Sequence, residues 1–333
     1  MKILITGGAG YIGGTVAGAL LEKGHKPVIF DNLSHGRRDL LPAGVEFVEG
    51  ELADRCGIES IFTSAKKMGQ PFDGVLHFAA LIEAGESMVT PEKFFRNNTA
   101  STLTLLEAML AEGPRRLVFS STAAVYGEPE CVPIPETARL LPTNAYGESK
   151  LLVEHMLGWL NRIHGLRYAS LRYFNVAGAP EGPNGVTRGE AHEPESHLIP
   201  LVLDVALGRR KSIRIYGEDY PTPDGTCIRD YVHVSDLADA HLLALGALEN
   251  HDRLIFNLGN GEGFSVRQVI ESARRVTGHP IPAEIHPRRA GDPAVLVASS
   301  EKAIRELGWQ PRYTQLDDIL RTAWIWHQKR YQI

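Results

Sequence analysis

The sequence has 333 residues, with 35 Lys and Arg against 40 Asp and Glu and a formal net charge of −5 at pH 7. That length buries a substantial core, in one large domain or two coupled ones, and 43% hydrophobic with 23% charged residues is ordinary globular composition. The negative balance excludes a nucleic-acid-binding surface, which needs a clustered basic face, and no run reaches the roughly 20 apolar residues of a membrane span.

The chain opens on a short apolar run, residues 2–6, too brief for a secretion signal. It reads as a strand and leads through Thr6-Gly7-Gly8-Ala9-Gly10-Tyr11-Ile12-Gly13 into a helical pattern over 11–23. In that context Gly7, Gly10 and Gly13 permit a tight turn, close approach of a pyrophosphate and close helix–strand packing, with free N–H groups of the helix start on the phosphates. A second strand over 27–30 ends at Asp31. A carboxylate there accepts from adenosine ribose hydroxyls and repels a 2′-phosphate, which favours NAD over NADP; Arg37 and Arg38 lie beyond the strand end and rank lower as acceptors of that phosphate.

Strands over 45–48, 74–78, 116–120 and 167–172 follow, separated by helical patterns over 57–68, 91–111 and 145–164. Two-sided apolar strands alternating with helices predict an α/β fold, a doubly wound parallel sheet covered on both faces. The last of these helices carries Tyr146 and Lys150, four residues apart and so on one helix face. A tyrosine with pKa near ~10 is a poor base; an ammonium beside it and a cationic nicotinamide lower that value, and the phenol then exchanges a proton with a substrate hydroxyl.

Gly- and Pro-rich segments over 177–189 and 216–225 interrupt the second half. Arg209-Arg210-Lys211 closes an apolar helical run and reads as a solvated helix end. Helical patterns follow over 234–248, 265–277 and 316–328, with a strand over 254–258. The expected division is a cofactor-binding domain over 1–175, to which 228–262 returns, and a smaller α/β substrate domain over 176–227 and 263–333. Cys56, Cys131 and Cys227 are three and widely spaced, which suits neither a disulfide framework nor a zinc site and fits the reducing cytosol. No metal ion is expected.

Read together, the glycine run, Asp31-Asn32-Leu33, His77-Phe78-Ala79-Ala80, Asn97-Asn98, Ser120-Ser121-Thr122 and Tyr146 with Lys150 resemble the extended short-chain dehydrogenase/reductase family. Leu171-Arg172-Tyr173-Phe174-Asn175, Tyr216-Gly217-Glu218-Asp219-Tyr220-Pro221-Thr222, Arg229-Asp230-Tyr231-Val232-His233-Val234, Asn257-Leu258-Gly259 and Arg288-Arg289-Ala290-Gly291-Asp292 narrow the likeness. They resemble the branch that inverts C4 of UDP-hexoses, UDP-glucose and UDP-galactose, with NAD. The likeness runs from Met1 to about Trp309.

The resemblance implies roles. Thr122 would bond the sugar O4 beside the base Tyr146, and Lys150 would also hold the nicotinamide ribose. The cofactor would meet Gly7, Gly10, Tyr11, Ile12 and Gly13 at its pyrophosphate, Asp31 and Asn32 at the adenosine ribose, and Leu52 at adenine. Phe78, Ala79, Ala80, Asn97 and Ser120 would line its middle, and Tyr173 would lie against the nicotinamide. On the substrate side, Asn175, His197, Leu198, Arg229, Arg289 and Asp292 occupy positions that bind nucleotide and diphosphate, with Tyr216 against uracil. A homodimer through the helices over 91–111 and 145–164 is also implied.

Some positions depart from the family pattern. Ile82 stands where some members carry lysine, Glu51 replaces a more usual Asp, and Leu296 aligns with a position gating the sugar pocket, which disfavours N-acetylated hexoses. Ala123-Ala124 stand where a 4,6-dehydratase would need an acid and a base. The motifs do not separate a UDP-hexose substrate from UDP-glucuronate, UDP-xylose or UDP-N-acetylhexosamine, and a non-catalytic NAD sensor or scaffold is the reading from a different class.

Overall fold

A computed structural model describes residues 1–182, 185–289 and 292–332; Ala290 and Gly291 of the Arg288–Asp292 run lie outside them. The cofactor-binding half is built from β1 (Lys2–Thr6), α1 (Tyr11–Glu22), β2 (Lys26–Asp31), β3 (Glu46–Glu49), α2 (Arg55–Lys67) and β4 (Gly74–His77). It continues with α3 (Ser101–Glu112), β5 (Arg116–Thr122), α4 (Ala145–His164), β6 (Arg167–Tyr173), α5 (Val234–Ala247) and β7 (Arg253–Leu258). The seven strands form one sheet in the order β7-β6-β5-β4-β1-β2-β3, every neighbouring pair parallel. This is the expected doubly wound α/β fold.

Both faces of the sheet are covered, which is why its strands are apolar on both sides. On one face Ile3, Ile5 and Val118 join Val16 and Leu20 of α1 and Leu237, Ala240 and Leu245 of α5. On the other, Leu4, Val28 and Leu117 join Ile58 and Phe62 of α2, Leu105 and Met109 of α3, and Val153 and Leu157 of α4. Burying each such large side chain contributes about 1.5–3 kcal/mol.

The predicted single helix over 91–111 is instead a broken one. Pro91–Phe94 is followed by a π-helical stretch, Phe95–Ala100, before α3 begins. Such a bulge is rare and turns side chains off the helical register. Here Asn98 points inward, where its side chain accepts from Leu81 N at 2.8 Å and donates to Leu81 O at 2.9 Å and Ser149 Oγ at 3.1 Å.

The smaller half packs helices Leu198–Ala206, Val266–Thr277 and Leu316–Tyr331 around their own core, with Val202, Ile270, Ile319 and Leu320 at its centre. Strand Ile228–His233 pairs with Asn175–Ala177, Gly263–Ser265 and Val295–Leu296 rather than with the seven-stranded sheet. The segment 228–262 thus divides: its first strand sits in the small sheet, while α5 and β7 lie with the large one. Asp230 ties the two, its buried carboxylate accepting from Asn260 N at 2.6 Å, Ala298 N at 3.0 Å and Gly261 N at 3.1 Å. Burial pushes its pKa up to about 6 against the pull of those donors. Its place in the selective Arg229–Val234 run is therefore architectural.

Candidate active site

Strand order reverses between β1 and β4, and there the chain ends of both strands diverge to opposite faces, opening a crevice at the carboxyl edge. Gly7 leaves β1 with φ +70°, and a Cβ on it would stand 2.4 Å from Ala79 N. Only glycine permits this approach of the two loops. Gly13 presses α1 onto the same turn, its absent Cβ leaving 2.5 Å to Gly7 O. Gly10 caps α1 with no side-chain acceptor, so the N–H groups of Tyr11, Ile12 and Gly13 have no intrahelical partner and form an anion cradle. The cradle fits a pyrophosphate, as the glycine spacing predicts.

A cavity of about 330 Å3 runs from this cradle along the strand ends. Among its lining residues are Gly7, Gly10, Tyr11, Ile12, Gly13, Asp31, Asn32, Leu52, Phe78, Ala79, Ala80, Asn97, Ser120, Thr122, Tyr146, Lys150, Tyr173, Asn175 and His197. All the residues assigned to the cofactor or to catalysis on sequence grounds therefore reach one space.

At the adenosine end, Asp31 is held by Ala9 N at 3.0 Å and Leu33 N at 2.8 Å. Burial raises its pKa and these backbone donors oppose the rise. Asn32 donates to both oxygens of Glu51 at 3.1 Å, so the Asp-to-Glu departure at 51 supplies a clamp for Asn32. Arg37 and Arg38 are paired with Asp39 and Glu49 and do not line the cavity, whereas the acidic Asp31 and Glu51 do.

The reactive end rests on β5 and α4. Asn144 caps α4 by accepting from Gly147 N at 2.8 Å, and a Cβ on Gly147 would meet Ala124 O at 2.6 Å, so α4 starts hard against the loop after β5. That contact sets Tyr146 beside Thr122, whose hydroxyl pulls the phenol pKa down. Lys150 donates to Ser120 O at 2.9 Å, and the hydroxyls of Ser120 and Tyr173 bond each other.

Burial sets the electrostatics of the Tyr146–Lys150 pair. Burial pushes the Tyr146 phenol up to about 12, with the bond from Thr122 pulling it down and Glu83 adding to the rise. Burial also pushes Lys150 down to about 7. With Lys150 itself lowered, burial dominates at the phenol. Lowering it takes a further positive charge against its ring.

The substrate-side residues divide. Asn175 and His197 line the cavity, whereas Leu198, Tyr216, Arg229, Arg289 and Asp292 do not. Four of these five form a separate cluster. Asp292 stands 3.5 Å from Arg229 and 3.0 Å from Arg289, and the Arg289 guanidinium lies 4.8 Å over the Tyr216 ring. Leu198 begins the helix after His197. Leu296 pairs with Arg229 and packs against the apolar cluster that contains Ala123, Val125 and Phe174.

Sequence reasoning missed Glu83, Glu190 and His192, which also line the cavity. Glu83 follows Ile82 and accepts from its N–H at 3.0 Å. Glu190 and His192 lie in an irregular loop; the signal for them is the alternation of His and Glu between Glu190 and His197.

A model of the NAD dependent epimerase/dehydratase family matches residues 3–259. The chain belongs to that family. Within it, the chain is similar to the UDP-glucose 4-epimerase of Streptomyces lividans, 56% identical over 326 residues that span 98% of this chain and 96% of the relative. Among solved structures it is similar to UDP-glucose 4-epimerase from Brucella ovis in complex with NAD, with a TM-score of 0.91 and 43% identity over 97% of both chains. The UDP-glucose 4-epimerase from Bifidobacterium longum in complex with NAD+ and UDP gives a TM-score of 0.92 at 36% identity, covering 99% of both.

Proposed function

We propose that this chain is an NAD-dependent epimerase that inverts C4 of a UDP-hexose, interconverting UDP-glucose and UDP-galactose through a transient 4-keto sugar. One observation carries the reading: the glycine cradle, Asp31 and the Thr122–Tyr146–Lys150 group line a single cavity. NAD, when bound, accepts a hydride from C4 and gives it back. The chain's own residues do the rest. The first-turn N–H groups of α1 hold the pyrophosphate, and Asp31 and Asn32 hold the adenosine ribose. Lys150 orients the nicotinamide ribose, and Thr122 fixes O4 of the sugar beside Tyr146.

Tyr146 takes the 4-hydroxyl proton and returns it after the ketone has turned. Burial holds the phenol pKa at about 12 and Lys150 at about 7, and a bound oxidised cofactor would supply the further positive charge that makes Tyr146 a base. Asn175, His197, Arg229, Arg289 and Asp292 anchor the nucleotide and diphosphate, and this remote binding keeps the ketone from leaving while the hexose rotates. Leu296 narrows the sugar pocket against N-acetyl groups.

No helix of the described residues is long and apolar enough to cross a membrane, and the proposed setting is the cytoplasm. Large apolar side chains at Leu103, Trp159 and Ile163 are exposed on α3 and α4, which supports a homodimer through those helices. The test is to incubate the purified protein with UDP-galactose, identify the product by chromatography and assay NAD released on denaturation. UDP-glucose with released NAD is the expected result; unchanged substrate in the presence of saturating NAD contradicts the reading.

A further inference from the structure

We propose that the loop from Glu190 to His197 is a zinc(II) site whose ligands are Glu190, His192, Glu195 and His197. Each offers one donor atom, and the four donors lie within 4.8 Å of one another. Bond lengths of about 2.0–2.2 Å place neighbouring donors of a tetrahedral ion roughly 3.4 Å apart, so side-chain rotations of about an ångström close the shell. Two imidazoles and two carboxylates form a borderline donor set that suits zinc better than magnesium or calcium, which prefer all-oxygen shells. The sequence expectation of no metal rested on the cysteines; this set contains none.

The loop is shaped independently of any ion. Trp326 Nε1 donates to Glu190 O at 2.7 Å, and Arg330 donates to Glu190 O and Ala191 O, each at 3.3 Å, and to the Glu193 carboxylate at 2.8 Å. A Cβ on Gly189 would stand 2.5 Å from the Trp326 ring. Helix Leu316–Tyr331 thus holds the loop backbone, from which the four side chains converge. Glu195 Oε1 accepts from Ser196 N, His197 N and His197 Nδ1, each at 2.8 Å. Its second oxygen is buried and has no hydrogen-bond partner among the described residues. A buried carboxylate oxygen left open is what a cation would satisfy.

Four protein ligands make a closed, structural site; catalytic zinc keeps a position for water or substrate. The ion pins the loop to the wall of the cavity, which Glu190, His192 and His197 line, and fixes the start of the helix at Leu198. Its readout is metal content and loop stability, both measured apart from epimerase turnover.

The full chain is stripped with EDTA, passed through gel filtration and titrated with zinc against a chromophoric chelator, with metal counted by mass spectrometry. One zinc per chain is expected, together with a higher melting temperature and, for the cobalt(II) form, the d–d spectrum of a four-coordinate N/O centre. Glu195→Gln and, as a second variant, His192→Gln each weaken zinc at least tenfold, their folding checked by circular dichroism. A wild-type chain that retains no stoichiometric zinc leaves only two carboxylate–imidazolium pairs and overturns the proposal. So does unchanged zinc affinity in both folded variants.

Discussion

The cavity and the separate cluster of Tyr216, Arg229, Arg289 and Asp292 are made of different materials. At the proposed cofactor end, backbone N–H groups at the start of α1 and the loops after β1 and β4 are placed by strand order and by glycines that admit no Cβ. The proposed substrate cluster is made of long side chains, Arg229 and Arg289 held by Asp292, drawn from separate segments. A backbone site is rigid and intolerant, because adding one atom displaces two loops. A side-chain site is graded, because each guanidinium contributes its own share and its absence leaves the fold in place.

The sharpest way to break this contrast is Gly7→Ala. The new Cβ meets Ala79 N at 2.4 Å on a backbone with φ +70°, and NAD affinity falls roughly a hundredfold or more, about 1.4 kcal/mol per tenfold. NAD retained on gel filtration at the wild-type level means the cradle is not where the pyrophosphate rests. Arg229→Ala has a smaller effect. Loss of a charged hydrogen bond of about 1.5–3 kcal/mol raises the KM for UDP-galactose roughly 10- to 100-fold with NAD content unchanged, and steady-state kinetics with a cofactor assay separate the two.

A pH effect follows from Lys150. Its folded pKa of about 7 lies below the ordinary 10.5, so between these values the unfolded chain binds more protons. Stability of the cofactor-free protein therefore rises with pH from about 7 towards 10.5 through this group and is lowest below 7. Urea midpoints at pH 7 and pH 9 should differ less in Lys150→Met; an undiminished gain excludes Lys150 as its source. The smallest effect is at Asp31. Its replacement by Asn removes the repulsion of a 2′-phosphate and narrows the preference for NAD over NADP about tenfold, read by competitive binding of the two dinucleotides.

The same contrast decides what was legible in the sequence. Alternating apolar strands and helices, Gly7, Gly10 and Gly13 after a strand, and Asp31 at the next strand end are local patterns with a single structural meaning, and each stands where the pattern puts it. Tyr146 and Lys150 share a helix face for the same reason, since helical spacing is fixed. The π-helical stretch was not legible, because Phe95–Ala100 continues an apolar helical pattern and the turn-widening that faces Asn98 inward depends on the receiving Leu81 backbone. The cluster of Tyr216, Arg229, Arg289 and Asp292 is a property of the small sheet and its loops, which periodicity does not describe. Only the resemblance pointed there. The burial that raises the Tyr146 phenol and lowers Lys150 leaves no mark in the sequence, which shows only their spacing. Glu190 and His192 fell in a loop with no period at all.

The central claim is that the Tyr146 phenol moves the proton of the reacting hydroxyl. Tyr146→Phe keeps the ring and deletes that one oxygen. With NAD content matched to wild type, conversion of UDP-galactose should fall by about 10²- to 10⁴-fold with little change in KM. Turnover at the wild-type rate in the NAD-loaded variant would show that another group carries the proton.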